Sequence, residues 1–108
     1  MNTLAAALLV QVGVASVYSG GVATTGERVA PCALTAAHRA LPLGSAARVT
    51  SLDTGRAVIV RINDRGPFVK GRIIDLTPCA AELVGVDGLG RVKVEPVEVP
   101  EAGAWRFK

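Results

Sequence analysis

Between Gly55 and Arg65 the chain reads "RAVIVRIND", in which Val58, Val60 and Ile62 fall on one face of an extended strand. A period of two in β-branched residues commits a segment to a sheet with one buried face. Asp64 shares the parity of those three residues, so it is expected to leave a barrel interior at its edge. Similar short runs recur along the chain. Val10 to Tyr18 reads as a first strand ended by Ser19-Gly20-Gly21, and "ATTGERVAPC" is a polar loop with a turn at Thr25-Gly26. "ALTAAHR" is short and apolar, and "LPLGSAARV" leads through a Pro-x-Gly turn into the strand "ARVTSL". Asp53 to Gly55 is a hairpin signal joining that strand to "RAVIVRIND". "RGPF" turns the chain into "GRIIDL", and "GRVKVEPVEV" is the last strand. Thr77-Pro78 reads as N-cap and first residue of one helix, "CAAELVG", with Gly85 as its terminator. Many short strands, one helix and Gly-rich turns predict a mainly β fold, a small closed barrel.

A chain of 108 residues supports one domain with a modest core. Its aromatic residues, Tyr18, Phe68, Trp105 and Phe107, are scattered, and a stacking platform for nucleic acid needs several on one sheet. A net charge of +3 is too small and dispersed for a nucleic-acid footprint, so no nucleic-acid partner is expected. His38 is the single histidine, which argues against a zinc site, and neither metal nor cofactor is expected. Leu4 to Val10 is too short to span a bilayer. It resembles the apolar part of an export signal, with Gly13-Val14-Ala15 as a cleavage site, but a basic leader is missing and cleavage there would cut the first strand. Cys32 follows Pro31 and polar residues, which does not suit a lipid-attachment site. If the protein is exported, Cys32 and Cys79 can pair in a disulfide; two buried thiols are the alternative.

Four stretches, "VASVYSG", "TTGERV", "ALTAAHRALPLG" and above all "VRINDRGPFVKGRIIDLTPCAAELVG", resemble the rare lipoprotein A family. The resemblance implies a six-stranded double-psi β-barrel over residues 12–99, with 1–11 a signal remnant or N-terminal extension and 100–108 a tail. It also implies an exported, periplasmic or envelope-associated lytic transglycosylase acting on peptidoglycan glycan strands poor in stem peptides. A monomer is expected, with cell-division or cell-wall proteins as further candidate partners. Carried over residue by residue, the family's functional positions are Glu27, His38 and Asp64; related expansin and endoglucanase barrels stress the position of Asp75. Asn63, Arg65, Arg72 and Tyr18 are expected to support the site or line a groove.

The chemistry gives these residues distinct tasks. Ordinary glycosidases need two carboxyls at a set spacing, one for the leaving oxygen and one for a nucleophile or water. A lytic transglycosylase uses the muramic C6 hydroxyl as an internal nucleophile, so one carboxyl can act as acid and then base. Asp64, beside Ile62 and Phe68, is the expected acid, provided that Arg65 points elsewhere, toward a substrate carboxylate or a backbone carbonyl. Glu27 would stabilise positive charge on the sugar or position a hydroxyl, against a plain reading as a solvated loop acid. His38 would orient a carboxylate or substrate group, or serve as a hydrogen-bonded structural residue. Asp75 could instead cap the helix, in competition with Thr77. The competing function is a non-catalytic, expansin-like module that grips polysaccharide through the same groove.

Overall fold

The computed structural model describes residues 10–18 and 20–100. Most of the Leu4 to Val10 run, Ser19 of the first turn, and Trp105 and Phe107 lie outside the described residues. Six strands follow in chain order: β1 (Gln11–Val17), β2 (Thr35–His38), β3 (Ala46–Ser51), β4 (Ala57–Asp64), β5 (Arg72–Leu76) and β6 (Leu89–Val97). One helix, α1 (Pro78–Val84), lies between β5 and β6. The strands close into a barrel in the order β1-β5-β2-β4-β3-β6. The pairs β1/β5 and β2/β4 are parallel, and the remaining four are antiparallel. The short "TAAH" segment, which has no alternation of its own, is a strand because β4 and β5 pair with both its edges.

Alternation fills the barrel. Val49, Val58, Val60, Ile62, Ile74, Leu76, Val92 and Val94 are all buried, and they meet Ala15, Ala36 and Ala47 in one core. The helix plugs the end of the barrel where β4 begins. There Ala80, Ala81 and Val84 join the core, and Thr54 Oγ1 of the β3–β4 turn donates to the Val84 carbonyl at 2.7 Å. Thr77 stands at the N-cap but its hydroxyl donates to the Ala33 carbonyl, 2.7 Å away, and gives no side-chain cap. Gly85 ends the helix in the left-handed region at φ 81, and its N–H reaches back to the last-turn carbonyls.

Two register breaks shape the opposite end. Along β2 and β4 the partners run Ala36↔Ile62 and then Ala37↔Asp64, so Asn63 is the extra residue of a bulge. Simple alternation from Ile62 would aim Asp64 inward. The bulge sets it instead beside Ala37, off the face that Ala36 and Ile62 share. Ala37 is also the partner of Asp75, and Asp75 of Ser16, so Asp64, Ala37, Asp75 and Ser16 form one row across β4, β2, β5 and β1. A second break, between Val14 and Ala15, leaves Ile73 unpaired on β5. Its side chain lies where a Cβ on Gly13 would stand, 2.8 Å away, which accounts for a glycine in mid-strand.

Cys32 and Cys79 are joined, with Cα atoms 4.7 Å apart, so the alternative of two free thiols does not hold. The bridge ties the loop before β2 to the first turn of α1 across 47 residues of sequence. Closing a loop of that length removes chain entropy from the unfolded state worth about 4 kcal/mol. The double variant Cys32→Ala/Cys79→Ala is therefore expected to unfold at a lower urea midpoint, by about 2–4 kcal/mol, with the barrel retained. Equilibrium urea unfolding monitored by circular dichroism checks this.

Candidate active site

The loop between β1 and β2 folds back along β4 and sets Glu27 on the strand that ends in Asp64. Its tip is a tight turn: Gly26 N–H donates to the Ala23 carbonyl at 2.8 Å, and Ala23 N–H to the Glu27 carbonyl at 2.9 Å. Three successive contacts fasten it to β4. Thr24 holds Asp64, the Thr25 N–H donates to the Asn63 carbonyl at 3.3 Å, and Glu27 meets Arg61.

Asp64 is half-buried at the end of β4 farther from the helix. Its Oδ1 accepts from the Thr24 N–H at 2.8 Å, from the Thr24 hydroxyl, and from the Arg65 N–H at 2.8 Å. Among the described residues no donor reaches Oδ2. One oxygen is thus fixed by three donors, and the other is left for a ligand. The Arg65 guanidinium turns away: Nη1 donates to the carbonyls of His38 at 3.1 Å and Leu41 at 2.6 Å. No cation clamps Asp64 among the described residues.

Glu27 is held differently. Arg61 Nη1 and Nη2 donate to Oε1 and Oε2 at 2.8 and 2.9 Å, a two-pronged fit of guanidinium to carboxylate, and Thr25 Oγ1 adds a bond of 3.1 Å. The Arg61 hydrogen bonds are the main reason its pKa falls to about 2, helped by Asn63 and Thr25, while partial burial acts in the opposite sense. Glu27 is therefore an anion at any physiological pH and cannot donate a proton. It can face developing positive charge.

His38 is buried and meets neither carboxylate. Its Nδ1 accepts the N–H groups of Ala40 and Leu41, both at 3.0 Å. That fixes the proton on Nε2, which donates to Gln11 Oε1 at 2.7 Å. Burial, then the charges of Arg39 and Arg65, lower its pKa, so the ring stays neutral. The geometry makes His38 the brace of the 39–41 turn, whose Leu41 carbonyl in turn receives Arg65.

Asp75 does not cap the helix. Its Oδ1 accepts from the Ser16 hydroxyl on β1, the strand on the far side of β5 from β2 and Asp64. With β2 between them, the backbones of Asp64 and Asp75 stand about 9–10 Å apart, and Asp75 is drawn further off. Asn63 is 1% exposed, and its Oδ1 has no partner among the described residues. Arg72 opens β5 near this end of the barrel. Tyr18 lies apart, at the helix end, where it lines a small hollow of about 80 Å³ with Val29, Pro31 and Pro78. The larger concavity, about 630 Å³, also belongs to the helix end and touches neither Asp64 nor Glu27. Asp64 and Glu27 are half-buried and line neither concavity.

Sequence reasoning did not single out Arg61, Thr24, Gln11 or Ser16. Arg61 carried little signal either, because it falls on the face opposite Val58, Val60 and Ile62, where an arginine is at home without a partner. Thr24 and Ser16 carried none, since their roles depend on a folded-back loop and a cross-strand row.

A six-stranded closed barrel with one short helix, mixed pairing and acidic residues at its open end is the double-psi arrangement. Residues 10–96 match the family described as lytic transglycolase, and the chain belongs to that family. It is similar to endolytic peptidoglycan transglycosylase RlpA of Yersinia pestis, 43% identical over 98 residues, covering 87% of this chain and 27% of that protein. Proteins of the same name from Pseudomonas aeruginosa strain UCBPP-PA14 and Pasteurella multocida are 48% and 47% identical, covering 81% and 84% of this chain and 27% and 33% of their own length. The chain thus spans a third or less of these curated relatives. The solved structure of Streptomyces papain inhibitor superposes with a TM-score of 0.64 at 21% identity, covering 82% of this chain and 94% of its own, a likeness of fold alone.

The Arg61–Glu27 pair generates a pH prediction. Because the folded pKa of Glu27 is depressed, its contribution is full above the unfolded value of 4.5 and is lost as pH falls toward 2. Both side chains are more than a third exposed, so solvent screening holds the pair to about 1 kcal/mol or less. Glu27→Gln is expected to be less stable than the parent by that amount at pH 6, with the difference shrinking below pH 4.5 and vanishing as pH falls through about 2, checked by urea unfolding across that range.

Proposed function

We propose that this domain cleaves peptidoglycan glycan strands as an endolytic lytic transglycosylase, leaving 1,6-anhydromuramyl ends. The observation that carries the reading is the division of labour at Asp64: Oδ1 is occupied by three donors, while Oδ2 is open at the barrel's mouth. Kinship with proteins named endolytic peptidoglycan transglycosylases supports the substrate class.

The step follows from that geometry. Oδ1 can only accept, so the catalytic proton belongs on Oδ2. Asp64 passes it to the glycosidic oxygen as the bond from muramic C1 breaks. Positive charge builds on the ring, and the Glu27 carboxylate, kept ionised by Arg61, faces that charge from the adjoining loop. The muramic C6 hydroxyl then attacks C1, forming the anhydro bridge, and its proton returns to Asp64. No water is consumed, so no second carboxyl is needed, in keeping with Asp75 being drawn toward Ser16. Holding nucleophile and electrophile in one sugar also removes the entropic cost of bringing them together. Arg65 and His38 act as positioning residues through the 38–41 turn. A peptidoglycan substrate implies work in the cell envelope, and a disulfide suits the oxidising conditions of the periplasm.

The alternative is a module that grips the strand at the same site without cutting it. Incubation with peptide-free glycan strands and mass spectrometry of the ends separates the two. Anhydromuramyl ends are expected from the parent and reduced at least about a hundredfold in Asp64→Asn, as befits loss of a general acid. Asn keeps an oxygen for Thr24, so the fold is preserved. Strand binding with no new ends would favour the gripping module.

A further inference from the structure

The most exposed large hydrophobic side chain among the described residues stands four residues beyond Asp64: Phe68, 78% exposed. At full extension that is no more than about 14 Å of backbone, and the intervening turn shortens it. The turn is firm. Gly66 and Pro67 are buried while the ring projects. Gly66 sits at φ 117, and a Cβ built on it would lie 3.4 Å from the Phe68 Cε2, so the ring stands over the open side of the glycine. Most of the ring is left to solvent. Val69 and Leu43, on turns at this end of the barrel, are also exposed.

Cations share this end of the barrel. His38 pairs with Ile74, which sets Arg39 beside the start of β5, where Lys70 and Arg72 lie. None of the three has a carboxylate within ion-pair distance among the described residues, where the ion pairs are Arg48–Glu95, Arg61–Glu27 and Lys93–Glu95. One ring and two aliphatic side chains offer far less area than a stable protein interface needs. They do match the C–H face of a pyranose, and the unpaired cations match an acidic sugar. A muramic residue stripped of its peptide is one, because its lactyl carboxylate is free.

We propose that Phe68 is a stacking subsite for a sugar ring of an acidic glycan strand, continuous with the Asp64 site, with Arg39, Lys70 and Arg72 supplying the positive field for its carboxylate. This rests on the glycan reading given above and names how the strand is held next to the acid. The ring stacks from the open side, so the strand is seated before Oδ2 without an enclosing cleft.

The test uses Asp64→Asn as the uncut parent and soluble peptide-free glycan oligosaccharides, with affinity read by NMR titration. Adding Phe68→Ala is expected to weaken binding about five- to tenfold, the scale of one lost stacking contact. Phe68→Trp restores it, and Leu52→Ala, an exposed apolar residue on the β3–β4 turn at the far end, changes nothing. Equal affinity with and without the Phe68 ring overturns the subsite, as does an absence of binding by the parent. Loss of self-association on removing the ring, with glycan affinity unchanged, also overturns it and marks the patch as a protein contact. In the chain that keeps Asp64, anhydro ends with no dependence on Phe68 leave the cleavage reading intact and sink the subsite. Phe68-dependent binding with no such ends does the reverse.

Discussion

A six-stranded barrel of this size has no room for a ligand once its interior is filled. Val49, Val58, Val60, Ile62, Ile74, Leu76, Val92 and Val94 close the lumen, and the helix plugs one end. Everything this domain does to a ligand must therefore happen on its outside or at its remaining end. That constraint explains why the register break at Asn63 matters. Uninterrupted alternation would send the carboxylate that follows Ile62 toward a dry core, at a steep cost for an unpaired charge. One extra residue re-aims it to the outer row, where Thr24 can reach it.

The two acids of the site then differ because their donors differ. Glu27 engages both oxygens with one guanidinium and becomes a fixed anion. Asp64 engages one oxygen with backbone and hydroxyl donors and keeps the other open. A carboxylate that is permanently charged suits electrostatic stabilisation, and one with a free oxygen suits proton transfer. The single loop that carries Thr24, Thr25 and Glu27 sets both conditions at once, so the spacing between the acids is a property of that loop. Arg65 and His38 stabilise the neighbouring turn and touch neither carboxylate through their side chains.

The sequence made the barrel legible wherever alternation was strong. Val58, Val60 and Ile62 lie inside, the Asp53-Thr54-Gly55 turn joins β3 to β4, and the helix runs from Pro78 with Thr77 before it and Gly85 after it. β2 was harder to read, because "TAAH" is defined by the strands on either side rather than by its own pattern. The acidic residues came from motif resemblance, and spacing could not reveal that one loop reaches the strand that carries Asp64. Glu27 and Asp64 lie far apart along the chain, and only the folded-back loop sets Glu27 against Arg61 on the same strand as Asp64. Tyr18 marks the limit of motif resemblance. It belongs to a matching stretch, yet β1 carries it to the helix end, away from the acids. The bulge at Asn63 left no trace in the pattern, because one inserted residue looks the same as continued alternation until the partner strand is known.

The central claim is that the open Oδ2 of Asp64 is where the scissile linkage docks. A crystal structure of Asp64→Asn bound to a peptide-free glycan oligosaccharide tests it most directly. The account predicts a glycosidic oxygen within hydrogen-bonding distance of the residue 64 side-chain atom not held by Thr24, with Glu27 on the ring side of that linkage. A strand seated in the helix-end concavity beside Pro78 and Gly85, or one that leaves residue 64 in contact with solvent alone, would contradict it.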